Sequence, residues 1–86
     1  MKAWVHVSLK KSVLDPQGKT VHAALQRLGY GKIAAVRQGK SFELELEPAL
    51  SETEARQLLE RIAHEVLANP VIEEYRVELQ PTETGG

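Results

Sequence analysis

The sequence predicts an α+β domain in which two helices lie on one face of an antiparallel sheet, in the β-α-β-β-α-β order of the ferredoxin-like fold. Three observations lead there. Residues 3–9 alternate with the period of two of a half-buried strand, with Ala3, Val5, Val7 and Leu9 on one side and Trp4, His6 and Ser8 on the other. Two later segments carry apolar residues at helical spacing, each opened by a capping residue. Short apolar runs bounded by Gly, Pro and Asn fill the remaining positions.

After the first strand, Lys10 and Lys11 lead into a turn that ends at Asp15-Pro16. The aspartate can cap free amides, and proline is tolerated at the first helical position. Val21, Ala24, Leu25 and Leu28 then form one apolar stripe. Gly29-Tyr30-Gly31 ends the helix, the first glycine suiting a left-handed cap. Ile33–Val36 and Phe42–Leu46 read as a hairpin around Gln38-Gly39-Lys40-Ser41, with Glu43, Glu45 and Glu47 on its wet face. Pro48 closes it. Ser51 and Glu54 make an S-x-x-E capping box ahead of Ala55, Leu58, Leu59, Ile62, Val66 and Leu67. Asn69-Pro70 stops the second helix, and Val71 to Leu79 reads as the last strand. The domain is thus expected over 1–79, with 80–86 a disordered polar tail.

Eighty-six residues make one domain. A chain this short buries roughly 60–65% of the surface its unfolded form exposes, so oligomerisation is a natural source of extra stability. There is no cysteine, which removes disulfides, thiolate metal sites and thiol nucleophiles. Eleven basic and twelve acidic residues give a net charge of −1, against a general nucleic-acid binder. No apolar run approaches the roughly 20 residues of a membrane span, and the first nine residues alternate instead of forming a leader-like apolar segment. A soluble cytoplasmic chain is the expectation.

A search for chemistry finds little. His6, His22 and His64 share no metal-ligand spacing, and surface histidines explain them. Gly39-Lys40-Ser41 resembles the end of a phosphate loop, but position 34 is Ala34 where that motif needs glycine, and a strand follows where it needs a helix. Glu43, Glu45 and Glu47 share one strand face, where like charges stay solvated and discourage edge pairing. Asp15, the only aspartate, already has a capping role, and no serine sits in a nucleophile-elbow context. No catalytic residue, cofactor site or metal site is expected. If the helices cover the Val5 face, Trp4 and His6 look outward together with Ile72, Glu74 and Arg76. That face would then bury Trp4 and Ile72 against a partner.

Three stretches carry a family likeness: Val7 through Lys19 with its Leu-Asp-Pro-Gln-Gly core, Val36 through Leu44, and Leu67 through Arg76 with Asn-Pro-Val-Ile-Glu. Together they resemble the PurS family, from Trp4 to Leu79. The resemblance implies a non-catalytic small subunit of phosphoribosylformylglycinamidine (FGAM) synthase. It implies a homodimer or homotetramer, with a sheet open to sharing between chains. Such subunits bridge an ATP-dependent synthetase, PurL, and a glutaminase, PurQ, and support ammonia transfer between them. ATP, Mg and glutamine would serve the complex and not this chain. No nucleic acid and no membrane are expected as partners. Interface or turn roles are expected for Asp15, Pro16, Gln17, Gly18, Arg37, Gly39, Lys40, Asn69 and Tyr75, beside Trp4 and Ile72. Arg37 is the sharpest of these, because its fixed fork can bind a partner's carboxylate. The competing reading of the same skeleton is a regulatory domain that senses small molecules at a dimer interface.

Overall fold

The first strand, β1 (Lys2–Leu9), is the centre of the sheet in the computed structural model, which describes residues 1–80. β2 (Gly39–Glu45) and β3 (Glu73–Gln80) flank it, both antiparallel, in the order β2-β1-β3. The register follows the alternation in the sequence. Val5 stands opposite Phe42 on one side and Val77 on the other, and Ala3 lies between Leu44 and Leu79. Ala3, Val5 and Val7 are therefore buried in the middle of the apolar face. Helix α2 (Glu52–Ile62) lays Ala55 and Leu59 over that face on the β3 side. Full burial of Leu59, Val5 and Val7 contributes about 1.5–3 kcal/mol each, the main stabilising term in so small a core.

Both predicted helix starts hold, as does the stop of the first helix. Ser51 Oγ accepts from the Glu54 amide at 3.1 Å and donates to the Glu54 carboxylate at 3.2 Å. Helix α1 (Pro16–Arg27) opens at Asp15 and ends at Gly29, whose φ of +95° is the left-handed cap geometry. The end of α2 differs from expectation. Residues Ala63–Leu67 form a wide π turn in which the Ala68 amide donates to the Ala63 carbonyl at 2.9 Å. The wider turn breaks the apolar stripe, so Val66 points to solvent while Ala63 and Ala68 are buried.

Four strands were expected, and the described residues hold three. Ile33–Val36 joins no ladder, and Gln38-Gly39-Lys40-Ser41 is not a hairpin turn, because Gly39–Ser41 already belong to β2. The reason is local. The Ile33 carbonyl accepts from His22 Nε2 at 2.8 Å and from Gln26 Nε2 at 3.0 Å, so this segment is tied back to α1. α1 packs on no strand to the extent that α2 does, and Val21 and Leu28 of its stripe are exposed. Together α1 and the returning segment form an arm. The radius of gyration, 16.7 Å, exceeds the about 12 Å of a compact chain of this length, and the extents are 50 × 34 × 14 Å. Gln80, assigned to the tail by sequence, closes β3, and the rest of that tail lies outside the described residues.

A candidate interface at one end of the sheet

Where β1 ends, α1 begins and the arm returns, the chain is tied by polar contacts. Asp15 is extended, with φ −112° and ψ 91°, and buried. Its Oδ1 accepts from the Gly18 amide at 3.0 Å, the ordinary helix cap. Its Oδ2 accepts from the Gln38 amide at 2.7 Å, so the same carboxylate holds the far end of the arm. These two amides, Gly18 first and then Gln38, hold the carboxyl below the usual aspartate value against the opposing effect of burial, and the nearby Arg37 charge adds to them. Pro16 fills the first helical position, where no amide is needed. Gln17 Oε1 accepts from Gln38 Nε2 at 2.7 Å. Gly18 is buried under Val36: a Cβ there would run into the Val36 carbonyl oxygen and stand 2.6 Å from Asp15 Oδ2.

Arg37 completes the latch. Its Nη2 donates to the carbonyls of Leu9, Lys10 and Val13 at 3.3, 3.0 and 3.2 Å. The guanidinium expected to reach a partner's carboxylate is therefore engaged within its own chain, closing the β1–α1 turn against the arm. At the same end of the sheet, Gly39 pairs with Ser8, and Lys40 Nζ lies 3.9 Å from Glu73 Oε2 and 5.7 Å from the Phe42 ring centre. Glu73 Oε1 accepts from the Asn69 amide at 2.7 Å, and Asn69 Oδ1 accepts from the Val71 amide at 3.1 Å. The Ile72 carbonyl accepts from the Lys10 amide at 2.9 Å. A shallow depression of about 340 Å³, lined by Ser8, Gln17, Gln38, Lys40 and Glu73 among others, lies across this junction.

Nine expected residues thus gather here: Asp15, Pro16, Gln17, Gly18, Arg37, Gly39, Lys40, Asn69 and Ile72. Two do not. Tyr75 lies on the helix-covered face opposite Val7, where burial and then Glu60 push its phenol up. Trp4 is on the other face, between Glu43 and Glu78. Ile72 precedes β3 and stands at the far end of the sheet from the Glu78 that Trp4 faces, so the expected Trp4–Ile72 patch is not formed. Gln38 and Glu73 escaped the sequence reading, since each acts through contacts with residues set by tertiary folding. The junction can bind and brace; among the described residues, no cluster of metal-ligating side chains accompanies it.

Fold and latch define a class: a small α+β domain of ferredoxin-like order whose distinctive features are packing surfaces. Comparison with known proteins gives that class its family. Residues 2–81 match the family model of PurS, phosphoribosylformylglycinamidine (FGAM) synthase. The Mycobacterium leprae FGAM synthase subunit PurS is 46% identical over 76 residues, spanning 88% of this chain and 91% of that protein. The Methanocaldococcus jannaschii PurS crystal structure superposes with a TM-score of 0.85 at 34% identity, covering 95% of this chain and 98% of that one. A chain of the Thermotoga maritima PurLQS structure gives 0.81 at 34% identity, covering 90% and 93%. The chain belongs to the PurS family, the subunits of FGAM synthase.

Proposed function

We propose that this chain is a cytoplasmic, non-catalytic structural subunit of FGAM synthase that bridges the synthetase PurL and the glutaminase PurQ. ATP, Mg and glutamine serve the partner subunits, and the chain's task is to hold the ammonia source close to the ammonia acceptor. Confinement replaces diffusion through bulk water with a high effective concentration. The likeness to a chain of a PurLQS structure supports this reading.

One observation carries the assembly role: the single chain leaves matching surfaces open. The α1 stripe is exposed at Val21 and Leu28, and Ile33–Val36 has no strand partner among the described residues. On the sheet, Phe42 and Leu44 are only half-buried, and among the described residues neither outer strand has a partner on its outer edge. A second copy whose arm lies on the β2 side of this sheet, with its Ile33–Val36 segment added to an edge, satisfies all of these at once. The working unit is then a homodimer with shared sheets, able to pair again into a tetramer.

Reconstitution with PurL and PurQ of the same organism tests the reading. Glutamine-driven product formation is expected to require this chain, while ammonia-driven formation proceeds without it. If neither rate responds and no complex elutes, the bridging role is wrong.

A further inference from the structure

The sheet face turned away from α2 has a composition that the fold does not require. Trp4 is half-buried at its centre, directly opposite Glu43 on β2 and Glu78 on β3. Glu45 and Glu74 continue the same face, and against these four carboxylates stand Lys2 and Arg76, an excess of two negative charges. The carboxylates beside the indole are held without being buried. Lys2 Nζ lies 3.6 Å from Glu43, and Arg76 Nη1 lies 3.6 Å from Glu78. His6 Nε2 donates to Glu78 Oε1 at 3.0 Å, while His6 Nδ1 is hydrogen-bonded to Ser41 Oγ at 2.7 Å, so the ring orients Glu78 beside the indole.

An indole with a carboxylate on either side is suited to receive a cation. The ring quadrupole attracts the charge, and the flanking oxygens accept its N–H groups. A planar guanidinium satisfies both demands better than an ammonium, because it stacks on the ring and presents a fork of donors at its edge. The face is a broad three-stranded surface and not a cleft, which suits a protein partner better than a free small molecule. We infer that this open face docks a partner subunit through an arginine stacked on Trp4 and held between Glu43 and Glu78. The inference rests on the assembly role proposed above and names the chemistry of one of its contacts.

Trp4 is the single tryptophan, so 5-fluorotryptophan incorporation yields one fluorine resonance that reports on this site alone. In the reconstituted complex with PurL and PurQ, that resonance is expected to shift. The combined change Glu43→Gln with Glu78→Gln is expected to weaken assembly by about tenfold and to flatten its salt dependence. Trp4→Leu should weaken assembly similarly, while Trp4→Phe retains most of the affinity. If the complex forms with the resonance unmoved and these variants bind as the parent does, the docking inference is overturned and the assembly role stands. A shift that instead grows with the concentration of this chain alone would assign the face to a second copy and overturn the inference too. If no complex forms at all, both readings fall.

Discussion

The two halves of this molecule are held by opposite kinds of force. In the slab of β1, β3 and α2, buried apolar side chains meet in register, and Val5, Val7 and Leu59 are removed from water. In the arm of α1 and its returning segment, the buried residues are Asp15 and Gly18, and what fixes the geometry is a latch of directed hydrogen bonds. The slab is stabilised by area removed from water, which tolerates small adjustments. The latch depends on a few donors and acceptors at set distances, and it leaves the arm's apolar stripe exposed. The chain thus separates the part that holds its apolar core from the part whose apolar stripe is exposed.

Substitutions that act on one half and spare the other can break this contrast. Leu59→Ala is expected to have the largest effect, about 2–5 kcal/mol, because it leaves a cavity at the best-buried site of the slab. Chemical denaturation would show a fall in the midpoint; a loss below that range would mean that α2 contributes little to the core. Gly18→Ala comes next, at about 1–3 kcal/mol, since the new methyl group meets the Val36 carbonyl and the Asp15 carboxylate. Its effect should be local, with amide exchange faster in α1 and at Gln38 while β1 and β3 stay protected. Equal loosening of both halves would show that they are one cooperative unit.

The latch should also be sensitive to acid. Asp15 has its pKa lowered in the folded chain, so its contribution is complete above the unfolded value and fades as the pH falls through the folded one. Below the ordinary aspartate range, the Gln38 and Gly18 amides are expected to exchange faster, and Asp15→Asn should remove that pH dependence. The smallest effect on the single chain is expected from Leu28→Lys. It should alter unfolding by less than about 0.5 kcal/mol, yet lower the assembly mass seen by sedimentation. An unchanged mass would remove the α1 stripe from the proposed dimer contact.

The slab was legible in the sequence, and the arm was legible only at its ends. Alternation in residues 3–9 and 42–46 gives the faces of β1 and β2 directly, and Asp15, Ser51 and Gly29 mark helix boundaries because capping is local chemistry. Ile33–Val36 could not be placed the same way. A run of four apolar residues is as compatible with a strand as with an unpaired segment. The choice is made by His22, Gln26 and Asp15, which reach its two ends across the fold. The candidate site was read in the same uneven way. Most of its residues do meet at one end of the sheet, but the inward use of Arg37 depends on three carbonyls of a distant turn. The separation of Trp4 from Ile72 depends on strand register, which alternation alone does not give.

The place of β1 at the centre of the sheet has a consequence for the order of events during synthesis. It is the first strand to be made, yet its partners β2 and β3 lie beyond α1 and beyond α2 in the chain. On a ribosome the capped helix α1 can form early from local contacts, while the slab must wait for β3 to emerge. During that interval the β3 edge of β1 is unpaired and its apolar face lacks the cover of the completed slab. A nascent chain of this topology gains from meeting its assembly partners soon after release, and the pace of its translation becomes part of how reliably it assembles.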